Sequence, residues 1–228
     1  MRRPDPATDI EEARRNGFRE IATAVFARRG FEAPTMEELA AACGCDRRTL
    51  YRYFPSKEDL FWEAAERAYG ALAARFKDAS AVWESGRVSA IGRVRSWVFT
   101  YLGFSLERPE AFRLIMEGRQ KAVATQARGR KAAELRLGKS GKALAEIDRA
   151  VLSTLSGIDQ RLEAEGSCDA GEGEATLWEL LGICLALIEF HARYRGGGAT
   201  FPWGTPEGVR GMLERQITGA FGLREEKQ

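Results

Sequence analysis

The fold of this chain is decided by residues 35–54, which read TMEELAAACGCDRRTLYRYF. Thr35 and Glu38 form a capping box, in which the Thr hydroxyl accepts from the backbone amide at the fourth position and the Glu reaches back. This pair predicts the start of a short helix. Gly44 predicts its end, because glycine readily adopts the left-handed conformation of a tight turn.

A second short helix follows this turn. Asp46 is a good N-cap, and we expect the helix to run from Arg47 to about Phe54. Leu50 and Phe54 lie four residues apart and can pack inward together. The outer face is left to Arg47, Arg48, Thr49, Tyr51 and Arg52. Two short helices joined by a tight glycine-containing turn predict a helix-turn-helix.

The outward side chains of the second helix suit the major groove of DNA. An arginine can fork onto O6 and N7 of guanine, and Thr or Tyr hydroxyls can reach base edges or phosphates. Residues 1–60 contain eleven basic and eleven acidic residues, and the whole chain has a net charge of only +2. The DNA-binding signal therefore lies in the placement of the charges and not in their sum.

Helical spacing continues on both sides of this motif. Upstream, an apolar stripe ends at Gly30 and consists of Phe18, Ile21, Ala22, Val25 and Phe26. Arg14 and Arg15 on the same helix can reach phosphates. Downstream, Ser56 to Asp59 opens a long helix that we expect to continue to about Phe76.

The rest of the chain also predicts helices, with no strand-like alternation. We expect five of them: about 88–106, a short one from Pro109, about 142–165, about 174–195, and one from Thr205-Pro206. The basic, glycine-punctuated segment 119–142 is the least defined. The fold class is therefore all-α with about nine helices, divided into a DNA-binding domain at 1–55 and a helical domain at 56–228.

The composition argues against several other classes of protein. Met1-Arg2-Arg3 is followed by Pro4, and the longest apolar run, Leu180–Ile188, is far shorter than the roughly 20 residues of a membrane span. We therefore expect a cytoplasmic protein with no membrane partner. No glycine-rich phosphate loop or nucleophile elbow occurs, so we expect neither catalytic residues nor a cofactor.

Two features have competing interpretations. Cys43 and Cys45 can be a metal pair, but zinc needs four ligands and no Cys/His partner pair lies near them in sequence. Small packing residues at the turn, with no metal site, are the favoured interpretation. His191 is the sole histidine, and its apolar neighbours favour a core or interface position over a ligand contact.

Residues 18–60, about a fifth of the chain, resemble the DNA-binding region of the tetracycline-repressor (TetR) family. The matching positions are Phe26, Gly30, Thr35, Leu39, Ala40, Gly44, Thr49, Leu50, Tyr51, Phe54, Lys57 and Leu60. The resemblance departs at Cys45, where a Val-like residue is usual, and at Asp46, where Ser is common. It implies an N-terminal three-helix DNA-binding domain and a larger C-terminal helical domain for ligand binding and dimerisation.

The resemblance also implies roles for single residues. Tyr51 and Lys57 would grip phosphates, and Thr35 would cap its helix and touch the DNA backbone. Thr49 and Tyr53 would lie against the DNA. The pair at residues 47–48 varies within the family, so no operator sequence is inherited.

We therefore expect a transcriptional regulator, most simply a repressor that an unknown small-molecule effector releases from a palindromic operator. An effector-independent architectural or division-control protein of the same fold is the alternative, and an activator remains open. Candidate effector-binding residues are Trp97, Tyr101, Phe104, Phe112 and Met116. The long helix after residue 56 enters the helical domain and can act as a lever between effector and DNA.

A homodimer is expected from the eighth and ninth helices, because they carry more apolar surface than one helical body can hide. The residues counted for this are Leu177, Leu180, Leu181, Cys184, Leu187, Ile188, Val209, Met212, Leu213 and Ile217. A two-fold dimer would match a palindromic operator.

Overall fold

A computed structural model describes residues 6–83, 88–126, 155–169, 171–194 and 205–221. These ranges contain nine α-helices and no strand, which confirms the all-α prediction. The helices are α1 (Pro6–Arg29), α2 (Met36–Ala42), α3 (Arg47–Tyr53), α4 (Lys57–Trp83), α5 (Ala90–Glu107), α6 (Pro109–Gln126), α7 (Ile158–Ala164), α8 (Gly173–Tyr194) and α9 (Pro206–Ala220).

The chain groups into two compact units. The first unit comprises residues 1–70 and 110–146, and the second comprises 71–109 and 147–228. α4 is one continuous helix whose residues belong to both units. This grouping rests on packing, whereas the division at residue 55 concerns function and stays a prediction.

Aromatic side chains form the core of the first unit. The Phe61 ring meets Phe26 and Phe31 edge-on, with centroids 5.4 and 5.1 Å apart. Such pairs contribute about 0.5–1.5 kcal/mol each beyond their buried area. Ile21 of the predicted α1 stripe is 37% exposed, so the buried stripe is narrower than its sequence pattern.

An ion pair joins α1 to α4 inside this unit. The Arg15 guanidinium donates to both carboxylate oxygens of Glu63, from Nε at 3.1 Å and from Nη2. The same guanidinium lies 4.8 Å from the centre of the Phe54 ring. The hydrogen bond to Glu63 raises the Arg15 pKa further above its usual value. Arg15 thus joins two helices, which differs from the phosphate contact that its sequence position allowed.

The second unit is built around α5, which packs against α7, α8 and α9. Ser89 caps α5 by accepting from the Gly92 amide at 3.1 Å, and the Ala90 amide donates to Glu165 at 2.8 Å. Arg95 on α5 donates to Glu214 on α9 at 3.0 Å. These polar contacts fix the start and one flank of a helix whose buried residues are apolar except for Ser105.

Two helix predictions need correction. The helix that begins at Pro109 is not short, since α6 continues to Gln126 and includes the first part of the basic segment 119–142; residues 127–142 lie outside the described residues. Of the helix predicted over 142–165, residues 142–154 lie outside the described residues, and residues 155–157 form a turn in which Gly157 has φ +72° and precedes α7. A left-handed residue cannot continue a right-handed helix, and glycine adopts this conformation without a Cβ clash.

Candidate nucleic-acid interface

The capping box predicted at the start of α2 is present. Thr35 Oγ1 accepts from the Glu38 amide at 3.2 Å, and Glu38 Oε2 accepts from the Thr35 amide at 2.8 Å. Arg29 from the end of α1 donates to the other Glu38 oxygen at 2.9 Å. The backbone hydrogen bond to Thr35, aided by Arg29, lowers the Glu38 pKa to about 2.

This shift predicts an acid-sensitive α2. A carboxylate whose folded pKa is depressed stabilises the fold above its unfolded pKa, and that contribution is lost as the pH falls through the folded value. Amide protection of α2 should therefore weaken between about pH 4.3, the ordinary Glu value, and about pH 2. Hydrogen exchange measures this, with Glu38→Gln as the control: its α2 should exchange faster at neutral pH and depend less on pH. An identical acid response in parent and variant would contradict the assignment.

The turn between α2 and α3 is built from Cys43, Gly44 and Cys45. Gly44 has φ +68°, the left-handed conformation predicted for it. Cys43 is buried, and its thiol points to the Phe18 carbonyl, 3.8 Å away. Burial raises the Cys43 pKa to about 11 and also raises that of Cys45, so both are held as neutral thiols. Cys43 therefore packs at this turn, and Cys45 lies partly exposed beside it.

α3 is fixed at its start by Asp46 and along its inner face by two apolar residues. Asp46 Oδ1 accepts from the Thr49 amide at 2.7 Å, and this bond lowers the Asp46 pKa. Leu50 and Phe54 are both fully buried, as their spacing predicts. The helix is thereby oriented about its own axis, with its remaining face outward.

That outward face is strongly basic. Arg47, Arg48 and Arg52 are exposed, Tyr51 is 36% exposed, and Thr49 is half-buried. The Arg47 guanidinium lies 5.3 Å from the Tyr51 ring centre, and a hydrogen bond to Tyr51 raises the Arg47 pKa. Its ion pair with Glu37 is long, at 3.9 Å, and solvent-exposed, so it holds Arg47 weakly.

Two residues implied to touch DNA are placed differently from the rest. Tyr53 is only 8% exposed and packs edge-on against Phe18 at 5.2 Å, so its ring belongs to the core and not to the outer face. Lys57 Nζ donates to the carbonyl oxygens of Glu32 and Pro34, each at 3.2 Å. Lys57 Nζ also lies 4.4 Å from the centre of the Phe31 ring. An ammonium has three donors, and the described residues accept two of them with oxygen atoms, so the third can reach a phosphate.

The five candidate effector residues do not all belong to one unit. Trp97, Tyr101 and Phe104 are buried in the second unit, whereas Phe112 and Met116 belong to the first. The Trp97 and Tyr101 rings are stacked, with their centroids 5.7 Å apart and an angle of 7° between their planes.

The structure adds Phe76, whose ring lies 5.0 Å from Trp97 and 6.5 Å from Tyr101 and which the sequence analysis did not single out. Among the described residues, the buried Trp97 Nε1 has no hydrogen-bond acceptor.

The exposed face of α8 differs from the dimer surface predicted from sequence. Of the residues counted there, Leu177, Leu180, Leu181, Cys184, Ile188, Val209, Leu213 and Ile217 are buried in the second unit's own core. The large apolar side chains left exposed on α8 are Trp178, Ile183, Phe190 and Tyr194, each 45–58% accessible. The sequence showed that α8 is apolar all round but not which side packs internally.

Among the described residues, α8 is also the helix long and apolar enough to cross a membrane by length and composition. Its mean hydropathy over the best 18-residue window is 1.5, and 33% of that window is buried. Core helices pass the same test, and one side of α8 already packs on α5, α7 and α9.

Comparison with known proteins finds a match over the region of the helix-turn-helix. Residues 19–64 match the family described as bacterial regulatory proteins, tetR family. Over these residues the chain is similar to the TetR family. Its matched residues run from within α1 through α2 and α3 into the first turns of α4, so they contain the whole helix-turn-helix described above.

A curated relative also matches about 29% of the chain. The HTH-type transcriptional repressor KstR2 of Mycobacterium tuberculosis is 36% identical over 66 residues, which are 29% of this chain and 33% of the repressor. The match thus spans about a third of the repressor's length.

Solved structures match nearly the whole chain in fold. A bacterial regulatory protein of the tetR family from Rhodococcus RHA1 has a TM-score of 0.64 and 18% identity, over 92% of this chain and 96% of that one. AibR, solved in complex with isovaleryl coenzyme A and operator DNA, has a TM-score of 0.62 and 15% identity, over 91% and 98%. At these identities the likeness concerns the fold.

Proposed function

We propose that this protein is a DNA-binding transcriptional repressor of the cytoplasm that binds a palindromic operator as a homodimer and leaves it when a small molecule binds. The observation that carries the proposal is the outer face of α3. Three exposed guanidinium groups and the Tyr51 ring stand on a helix that is capped by Asp46 and anchored by two fully buried residues. A rigid basic helix of this kind fits the major groove.

The DNA contacts we propose follow from exposure. Arg47, Arg48 and Arg52 face the bases and phosphates, with the Thr49 and Tyr51 hydroxyls beside them. Thr35, at the start of α2, and the free donor of Lys57 contact the phosphate backbone. Tyr53 is left out of this set because its ring is buried.

Arg48→Ala tests the DNA-binding proposal. Operators are first selected from random duplexes with the parent protein. If Arg48 reads a guanine, the variant should lose about 1–3 kcal/mol of operator affinity and become tolerant at one base pair. Arg215→Ala, an exposed arginine of the second unit, removes the same charge and should leave base preference unchanged. A parent protein that enriches no sequence would refute the proposal.

Dimerisation is proposed through the exposed face of α8. Ile183, Phe190 and Tyr194, which share one side of α8, would be covered by the same face of a second copy, with Trp178 at the flank of the exposed surface, since a two-fold interface uses one patch on both subunits. Buried apolar area of this kind is the main source of association energy. A palindromic operator then follows from the two-fold axis.

Effector binding is proposed at the aromatic group of Phe76, Trp97 and Tyr101. Ligand sites are mostly apolar with a few polar groups that fix orientation, and the Trp97 indole N–H is a buried donor suited to that purpose. The structure of AibR with both a coenzyme A ester and operator DNA supports an effector-responsive regulator of this fold. α4 supplies a covalent route, because its residues run from the first unit into the second.

A further inference from the structure

The end of α1 leaves two backbone groups that its own turn does not satisfy. Gly30, at φ +73°, donates from its amide to the Phe26 carbonyl at 2.7 Å, which is the simple left-handed C-terminal motif. A Schellman motif would also employ the amide of Phe31 and the carbonyl of Ala27. Here both groups bond to side chains from another helix.

That helix is α6, which faces the turn with three charged residues spaced four apart. Glu117 Oε1 accepts from the Phe31 amide at 2.7 Å, and Arg113 Nη1 donates to the Ala27 carbonyl at 3.1 Å. Lys121 Nζ donates to the Glu32 carboxylate at 3.3 Å and lies 3.5 Å from the centre of the Phe31 ring. Residues i, i+4 and i+8 share one helix face, so α6 contacts the turn as a unit.

The segment held in this way, residues 30–34, leads directly into the helix-turn-helix. Phe31 is 4% exposed and packs on Phe26 and Phe61, so the segment's position is tied to the core. The N-cap Thr35 follows at once, and α2 packs on α3. A displacement of this turn therefore moves the helix that carries the DNA-facing side chains.

Resting on the proposed function, we infer that α6 controls operator binding directly through this turn, and that Glu117 is a positioning residue for the helix-turn-helix. A hydrogen bond to an ionised group is roughly twice as strong as a neutral one, and the Glu117 bond, at 2.7 Å, is the shortest of the three contacts. α6 follows α5 after the single residue Arg108, and α5 carries Trp97 and Tyr101. The connection from α5 to α6 is thus a second covalent link between the proposed effector residues and the DNA-binding residues, in addition to α4.

The test uses the direction in which operator affinity changes when the carboxylate is removed. Removing a carboxylate from a DNA-binding protein should by itself raise DNA affinity or leave it unchanged, because phosphates repel the carboxylate. We expect Glu117→Ala instead to lower operator affinity about tenfold, within the usual range of coupling between sites. Glu117→Gln keeps an oxygen acceptor, so its operator affinity should lie between those of Glu117→Ala and the parent. Glu110→Ala removes the same charge from an exposed position on the same helix and is the matched control.

Hydrogen exchange on the DNA-free protein provides a readout that does not depend on an operator. Residues 30–40 should exchange about tenfold faster in Glu117→Ala, and Glu110→Ala should match the parent. Unchanged exchange in Glu117→Ala would overturn the contact's role. Faster exchange with operator affinity equal to that of Glu110→Ala would overturn the control of DNA binding.

If the parent selects no operator, the proposed function fails and the control of DNA binding fails with it. The exchange result then still decides whether α6 holds the turn.

Discussion

Ile183→Asp should make the protein monomeric and lower its affinity for a palindromic operator by at least about a hundredfold, because two linked half-site contacts exceed one by factors of 10²–10⁴. Ile183 is 47% exposed in the single chain, so the substitution removes little internal packing. In the proposed dimer the interface buries the Ile183 side chain of both subunits. An aspartate there would lose its hydration without gaining a partner.

Light scattering and operator titration measure the two effects. Gln160→Asp adds the same charge at an exposed position of α7 and should leave both the dimer and its affinity intact. A dimer that survives Ile183→Asp would show that the exposed face of α8 is not the interface. A monomer with unchanged operator affinity would show that dimerisation does not serve DNA binding.

The second large effect concerns the effector. A small molecule that releases labelled operator from the protein should bind 5- to 150-fold more weakly once operator DNA is present, since coupling between two sites is reciprocal. The structural reason is that α4 and α6 both contain residues that contact segment 30–34, which leads into the helix-turn-helix. Titration by tryptophan fluorescence with and without operator measures the factor.

Trp97→Phe is the informative variant for this titration. It keeps an aromatic ring beside Tyr101 but removes the buried indole N–H, so effector affinity should fall while operator affinity stays at the parent level. Equal effector affinities with and without operator, in the parent, would mean that the two sites are uncoupled. Release by a small molecule would then be wrong even if operator binding is right.

Local interactions explain which parts of the site could be predicted. The capping box at Thr35, the N-cap Asp46 and the inward pair Leu50 and Phe54 each depend on residues within four positions of one another. The left-handed turn at Gly44 depends on a single residue type. Such features are encoded in short sequence windows, and the structure confirms all of them.

The burial of Tyr53 could not be predicted from such local interactions. It lies on a helix whose outward face was correctly predicted, yet its ring is buried because Phe18 of α1 packs edge-on against it. Helical periodicity assigns a direction to each side chain, but the neighbouring helix decides which directions are covered. The same holds for α8, where periodicity could not separate the internal side from the exposed one.

The sequence by itself determined that the described part of this chain is all-helical, that it carries a helix-turn-helix at residues 35–54, and that the outer face of α3 is basic. Only the tertiary structure decided that Lys57 holds the carbonyls of Glu32 and Pro34, and that Glu117 takes the Phe31 amide 86 residues away. The reason is physical: caps and periodicity act over one helical turn, whereas the partners of buried backbone groups depend on which helices meet in space.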